Sequence, residues 1–87
     1  MLRAAIVEKS KEHREYIRAG LMGANLDIQV SEFTNEYDYL ENLNEDASSF
    51  DILILNTTIR HEGDGLKLAA GIRARNRKVM ICFITDS

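Results

Sequence analysis

Polar side chains follow three apolar runs of this chain, each at the point where the run ends. The runs and the residues after them are Ala4–Val7 with Glu8 and Lys9, Ile52–Leu55 with Asn56, and Val79–Ile84 with Thr85 and Asp86. If the runs are parallel strands of one sheet, these side chains meet at the carboxyl edge, where open α/β sheets bind ligands. Asn56 is the most informative of them, because an amide cannot take up a phosphoryl group as a carboxylate can and ligates hard divalent cations poorly. We therefore expect a site without a metal or a cofactor.

The other side chains of this candidate site leave alternatives open. The Lys9 ammonium could reach a neighbouring carboxylate or Asn56 and take the place of a cation, or it could point into solvent. Glu8 is expected to be solvated rather than catalytic, since carboxylates with perturbed pKa values are the minority. Thr85 could bind a ligand or simply hydrogen-bond to the backbone at the end of its strand.

Residue types that carry chemistry elsewhere in the chain form no recognised pattern. His13 and His61 lack the spacing of metal ligands, and the sequence has no Ser-His-Asp or Cys-His arrangement. The segment Gly63-Asp64-Gly65 indicates a turn and a helix cap rather than a phosphate-binding loop, because no Lys-Ser/Thr pair follows it. We therefore predict that the chain is not an enzyme and has no catalytic residue.

The spacing of apolar residues predicts alternating strands and helices. Strands are expected at Ala4–Val7, Asp27–Val30 with Phe33 continuing its buried face, Ile52–Leu55 and Val79–Ile84, and helices from Lys11 to about Ala24, after Thr34 or Asn35, and after the cap Asp64. The expected buried faces of the three helices are His13, Ile17, Leu21 and Ala24; Tyr37, Leu40 and Leu43; and Leu68, Ala69 and Ile72.

The strand patterns also predict the order of the sheet. Strands that alternate with helices form parallel sheets with right-handed crossovers. The run Asp27–Val30 alternates, as a half-exposed edge strand does, whereas the other three runs are continuously apolar. We therefore predict an α/β fold with three layers and the flavodoxin-like strand order 2-1-3-4.

Length, net charge and cysteine content indicate the number of domains, the kind of partner and the cellular location. The 87 residues are expected to form one domain, residues 1–87, and a net charge of −3 argues against nucleic acid as the main partner. The basic run Arg73 to Lys78 is expected to complement a helix C-terminus rather than to bind phosphates. Cys82, the single cysteine, cannot form an internal disulfide, which favours a cytoplasmic location. No apolar stretch approaches the roughly 20 residues of a membrane span.

The chain resembles the receiver domains of two-component response regulators. The resemblance covers the whole chain and rests on segments in family order: Val7-Glu8-Lys9-Ser10, Asp51 to Asn56, Gly63 to Leu68, Gly71-Ile72-Arg73 and Phe83-Ile84-Thr85. The first helix and the region of Phe33 are loosely similar to receivers of transcriptional regulators with a LytTR-type DNA-binding domain. In such a regulator, nucleic acid would be contacted only by a domain outside this chain.

The resemblance implies a phosphoacceptor site that has lost most of its working parts. In the family, an aspartate at position 56 attacks the phosphodonor, carboxylates at positions 8 and 9 hold magnesium, and a threonine like Thr85 binds the phosphoryl group. Here Asn56 replaces the nucleophile, Lys9 replaces a metal ligand, and Asp86 stands where the family prefers a small residue. Only Glu8 and Thr85 match. Because phosphoryl transfer depends on positioning and charge neutralisation, we expect a degenerate site that is not phosphorylated by the family mechanism.

The resemblance also implies elements that 87 residues do not supply. The fold is expected to lack the fifth strand and the last two helices of the family, which would leave Val79–Ile84 as an exposed apolar edge. We therefore expect self-association, as a dimer, or a fragment of a longer regulator. Two functions remain open: a phosphorylation-independent signalling module that acts by protein contact, and a flavodoxin-like ligand-binding or enzyme domain that uses the crevice at Glu8, Asn56 and Asp86. The missing phosphate or flavin loop favours the first.

Overall fold

Four parallel strands form one sheet in the order β2-β1-β3-β4. The computed structural model describes residues 1–24, 27–43 and 48–85. The elements along the chain are β1 (Leu2–Val7), α1 (Lys11–Gly23), β2 (Ile28–Phe33), α2 (Glu36–Leu40), β3 (Ile52–Asn56), α3 (Asp64–Arg75) and β4 (Met80–Ile84). The predicted fold class, the strand order and the edge position of the alternating strand are confirmed.

The main hydrophobic core lies on the face of the sheet that α2 and α3 cover. Its buried side chains are Ala5, Val7, Tyr39, Leu53, Leu55, Ile59, Ala69, Ile72 and Val79. Three aromatic rings pack together beside it: Phe33 meets Tyr39 and Phe50 edge to face, and Tyr39 stacks on Phe50 with ring centroids 5.8 Å apart. This cluster joins β2, α2 and the segment before β3, and so fixes α2 against the sheet.

The opposite face carries α1 and a thinner layer of apolar side chains. Ala4, Ile6 and Ile54 are buried on β1 and β3, whereas no residue of α1 is fully buried. The predicted buried face of α1 is therefore only partly right. Ile17 and Leu21 are half-buried, while His13 and Ala24 are exposed, because α1 lies over the edge of the sheet at β1 and β2 rather than over its middle.

The second helix buries a different tyrosine from the one that its spacing predicted. Tyr39 is 1% exposed, whereas Tyr37 and Leu40 lie on the outer side. The helix has only five residues after its N-cap Asn35, so the stacking of Tyr39 on Phe50 sets its rotation rather than a long apolar stripe. On α3, Ala69 and Ile72 are buried as predicted.

The loop between β3 and α3 contributes a core residue that its polar composition conceals. Ile59 is fully buried within the polar stretch that begins at Thr57.

No helix among the described residues is both long and apolar enough to cross a membrane.

Candidate functional site

Glu8 and Asn56 lie side by side at the carboxyl ends of β1 and β3. The parallel register pairs Val7 with Leu55, so the next residue of each strand reaches the same point of the sheet edge. Asn56 Nδ2 donates a hydrogen bond of 2.8 Å to Glu8 Oε1, and both residues are only 1% exposed. A carboxylate at position 56 would repel Glu8 at this distance, whereas the amide satisfies it. The pair is a buried internal hydrogen bond.

The second oxygen of the Glu8 carboxylate is also used within the protein. Ser10 N donates to Glu8 Oε2 at 3.0 Å, while the Oγ of Ser10 accepts from His13 N and caps α1. His13 Nδ1 lies 3.5 Å from Glu8 Oε1, with its side chain half exposed. The expectation that Glu8 is solvated is therefore wrong. The first turn of α1 folds back over the end of β1 and covers the carboxylate.

Asn56 connects the pair to the loop that follows β3. Its Oδ1 accepts a hydrogen bond of 2.9 Å from Thr58 N, so the amide both donates to Glu8 and accepts from the backbone. An Asn side chain that bonds to the backbone two residues later forms an Asx-turn. The turn directs the chain from β3 towards the buried Ile59.

Gly65 brings the start of α3 against the end of β3. Its N–H donates to Thr57 O at 3.0 Å, and a Cβ at this position would lie 1.9 Å from the carbonyl oxygen of Asn56. Only glycine allows an approach this close without a shift of the backbone. The helix N-terminus is thereby held beside the Glu8–Asn56 pair.

Asp64 organises the same loop, although not as the predicted helix cap. The cap is Gly63, with φ of 80°, and Asp64 is the first residue of the helix. Its carboxylate accepts from the N–H groups of Ile59, Arg60 and His61 at 2.7 to 2.9 Å. Burial alone would raise the pKa of Asp64, but these backbone hydrogen bonds outweigh it and the pKa is lowered.

Arg14 is a structural residue of the site that the sequence reasoning missed. Its Nη1 donates to Glu8 O at 2.7 Å and to Lys9 O at 3.0 Å, and its Nε lies 3.4 Å from Glu32. Arg14 lies four residues after the cap Ser10, which places it over the end of β1. This spacing from the cap is the sequence signal that could have predicted its role. The guanidinium fixes the backbone that presents Glu8.

Two of the remaining predicted site residues, Lys9 and Thr85, lie at the same end of the sheet as this pair but do not join it. Lys9 and Thr85 have exposed side chains at the same end of the sheet, and within the described ranges neither forms a hydrogen bond or an ion pair with Glu8 or Asn56. Asp86 lies outside the described residues.

The residues present do not fit the magnesium ion that receivers use. Both oxygens of the Glu8 carboxylate already accept hydrogen bonds, Asn56 is an amide, and position 9 carries an ammonium. In the part of the chain that is described, no group of three His, Cys, Asp or Glu side chains could hold a metal ion.

A cleft of about 480 Å³ lies at the opposite end of the strands, beside Phe50, Asp51 and Val79.

The sheet order, its three layers and the crevice at the ends of β1 and β3 define a flavodoxin-like receiver fold. The non-phosphorylated receiver domain of HemR from Leptospira biflexa has this fold: it is similar to this chain with a TM-score of 0.74 and 21% sequence identity over 98% of the chain. The chain covers 64% of that receiver domain. No protein-family model and no curated protein matches the chain.

Proposed function

We propose that this chain is a phosphorylation-independent, receiver-like signalling module that acts by contact with another protein. The observation that carries the proposal is the buried hydrogen bond between Asn56 Nδ2 and Glu8 Oε1. A receiver needs an attacking carboxylate and a bound metal at this position. This chain instead has the Asn56 amide and the Glu8 carboxylate, which hydrogen-bond to each other. The proposal makes the chain a partial receiver-like domain over residues 1–87, without enzymatic activity and without a cofactor.

The proposal extends to the setting in which the module works. The fold, shared with the HemR receiver domain at 21% identity, supports a role in two-component signalling. The proposal places the chain, which spans 64% of the length of that domain, in the N-terminal part of a transcriptional response regulator of the LytTR type, in the cytoplasm. Any contact with DNA would then belong to another domain.

The chemistry of the site argues against phosphoryl transfer from two sides. The amide of Asn56 is a far weaker nucleophile than a carboxylate, so the side chain at position 56 does not accept a phosphoryl group from the phosphodonor. Binding magnesium to Glu8 would also break hydrogen bonds from Asn56 and Ser10 at a buried position, and a metal with one protein carboxylate would not repay that loss. The exposed ammonium of Lys9 adds a positive charge nearby.

The alternative, a ligand-binding or enzyme domain at this crevice, has less support. Among the described residues, the polar atoms of Glu8 and Asn56 hydrogen-bond to each other and to the adjacent backbone. Ligand sites need polar groups that converge on a space. The cleft beside Phe50 and Val79 lies at the other end of the sheet.

Incubation with magnesium and either acetyl phosphate or beryllofluoride tests the proposal. We expect no phosphorylation and no saturable beryllofluoride binding, measured by mass spectrometry and by fluorine NMR. The variant Asn56→Asp should also remain unlabelled, because Lys9 still stands at a metal-ligand position. The matched control is Asn42→Asp, which places a new carboxylate at an exposed position of the same chain.

Two results would contradict this assignment. Saturable binding by the unmodified chain that is lost in Asn56→Ala would show a working phosphoryl site. Efficient labelling of Asn56→Asp, with no labelling of Asn42→Asp, would show that the metal can still bind and that one substitution accounts for the inactive site.

A further inference from the structure

The cleft at the amino ends of β3 and β4 combines positive charge with apolar surface. It has a volume of about 480 Å³ and lies between the connection that leads into β3 and the one that joins α3 to β4. Phe50 and Asp51 belong to the first connection, and Arg77, Lys78 and Val79 belong to the second. A cleft of this size lies within the range of small-molecule sites.

Three of the residues that line the cleft are cations, although the net charge of the chain is −3. They are Arg75, Arg77 and Lys78, and all three are exposed. Within residues 1–24, 27–43 and 48–85, the side chains of Arg77 and Lys78 form no ion pair and no hydrogen bond. Cations that converge on a concave surface concentrate the electric field there and attract anions.

The C-terminus of α3 accounts for only part of this basic run. Arg73 and Arg75 lie in the last turn of the helix, and Arg73 Nη1 donates to Asn76 O at 3.3 Å. Both cations offset the negative end of the helix dipole, whose effect falls off within the last turn. Arg77 and Lys78 lie beyond the helix, which ends at Arg75. The helix end therefore does not explain their position.

A turn at Asn76 fixes the backbone that carries these two cations. Asn76 Oδ1 accepts hydrogen bonds from Lys78 N at 2.8 Å and from Val79 N at 3.3 Å. Val79 is buried in the hydrophobic core, so the connection is held at both ends. A backbone that is already ordered loses less conformational entropy when a ligand binds.

The carboxylate of Asp51, which also lines the cleft, is paired with Arg3. Asp51 Oδ2 accepts a hydrogen bond from Arg3 N at 2.8 Å and lies 4.0 Å from Arg3 Nε. Arg3 Nη2 also donates to Ser48 O at 3.1 Å, so this guanidinium lies beside the cleft. Among the described residues that line or adjoin the cleft, cations therefore outnumber carboxylates.

Apolar side chains lie next to these charges. Phe50 is half-buried, stacks on Tyr39 and meets Phe33 edge to face. Val79 belongs to the same core as Tyr39. The cleft thus combines apolar surface with a few charged groups, as small-molecule sites do.

We propose that this cleft binds a small organic phosphate, whose phosphate group contacts Arg77 and Lys78 and whose apolar body lies against Phe50 and Val79. This inference goes beyond the proposed function and does not depend on the phosphoryl site. A guanidinium donates two parallel hydrogen bonds to a phosphate, and an ammonium adds a compact positive charge. The net charge of −3 disfavours a long polyanion such as nucleic acid.

Phenyl phosphate is a suitable probe, because it joins a phosphate group to a flat apolar ring. Titration of the nitrogen-15-labelled chain at constant ionic strength, followed by amide chemical shifts, measures where the probe binds and how tightly. We expect saturable shifts at Phe50, Arg77 and Lys78 with a dissociation constant of about 1 mM at low salt, since exposed charges are screened. Inorganic phosphate and phenol, the two halves of the probe, should each bind at least about fivefold more weakly.

Two double variants that remove the same charge separate the cleft from the overall charge of the chain. Arg77→Gln/Lys78→Gln should weaken phenyl phosphate binding at least about tenfold, because both phosphate contacts are lost. Lys11→Gln/Lys67→Gln removes two exposed cations that do not line the cleft, and its affinity should stay within about twofold of the wild type. All four side chains are exposed, so both variants should fold, as circular dichroism would show.

The proposal fails if phenyl phosphate gives no saturable shifts at the cleft up to about 10 mM, or if the two double variants lose the same affinity. Inorganic phosphate that binds as tightly as phenyl phosphate would overturn the apolar contact with Phe50 and Val79. A short oligothymidylate that binds the cleft more tightly than phenyl phosphate would overturn the assignment to a small molecule. Beryllofluoride binding is measured at the opposite end of the sheet, so the cleft and the inactive phosphoryl site can fail separately.

Discussion

At position 56, an amide and a carboxylate have nearly the same shape but differ by one charge. The difference matters because the Glu8 carboxylate is 2.8 Å from Asn56 Nδ2 in a place closed to solvent. The sequence was enough to predict that these two residues meet, because both follow apolar strands of a parallel sheet. It was not enough to predict that Glu8 is buried, because this depends on how the first turn of α1 places Ser10 and His13.

Asn56→Asp should destabilise the fold in a pH-dependent way. Ionising two buried carboxylates that are in contact destabilises the folded state. We therefore expect the free energy of unfolding to fall by about 2–4 kcal/mol at pH 7. The pKa of the pair would be raised in the folded state above its unfolded value. The deficit is therefore complete above that raised pKa and shrinks as the pH falls through it.

Urea denaturation at pH 7 and pH 5 measures this effect. Asn42→Asp, at an exposed position, is the control; it loses only the exposed hydrogen bond that Asn42 Nδ2 donates to Asp38 O, so the free energy of unfolding should fall by about 1 kcal/mol or less. An Asn56→Asp variant that is as stable as the wild type at pH 7 would mean that position 56 is solvated or that Glu8 moves away.

At the scale of the elements, the loop from β3 to α3 shows where sequence patterns stop being informative. Periodicity placed the strand and the helix correctly, but it assigned the helix cap to Asp64 and overlooked Ile59. Both errors arise because the loop is folded by its own hydrogen bonds: Asp64 binds three backbone N–H groups and turns Ile59 into the core. Such contacts have no period in the sequence.

The two glycines of α3 should respond in opposite ways to the same substitution. Gly65→Ala places a Cβ 1.9 Å from the backbone carbonyl oxygen of Asn56, so the helix must shift, and we expect a loss of about 1–3 kcal/mol. Gly71→Ala meets nothing within 4 Å and is exposed on the same helix. Because alanine favours helix over glycine, we expect a gain of about 0.5–1 kcal/mol.

Chemical denaturation of both variants tests the close packing of α3 on β3. The pair is matched, since each protein gains one methyl group on the same helix. A Gly65→Ala protein as stable as Gly71→Ala would show that α3 does not press against the end of β3, and the geometry assigned to the Glu8–Asn56 site would be wrong.

For the whole molecule, the uneven division of the core between the two faces of the sheet determines what holds the fold together. One face is filled by a large cluster centred on Tyr39, Leu53 and Leu55, while the face under α1 is thinner. The layers and the strand order were predictable, because continuous apolar runs indicate strands covered on both sides. Which tyrosine fills the core was not, because Tyr37 and Tyr39 differ only in the rotation of a helix of five residues.

Titration of the buried tyrosine should couple the stability of the whole fold to alkaline pH. Burial raises the pKa of Tyr39 to about 12 from its ordinary value of 10.0, and nearby Arg75 lowers it only in part. The unfolded chain therefore loses this proton before the folded chain does. The stabilisation is complete below pH 10 and is lost as the pH rises towards 12, by about 1 kcal/mol at pH 11 and about 2 kcal/mol at pH 12.

Tyr39→Phe should lack this part of the alkaline loss, whereas Tyr16→Phe, which alters a side chain that is 83% exposed, should keep it. Urea denaturation of the three proteins at pH 8, 10 and 11 measures the difference, which cancels the titration of the other groups. Parallel decline of all three would mean that the Tyr39 hydroxyl reaches solvent in the folded state and that the aromatic cluster does not close this face of the sheet.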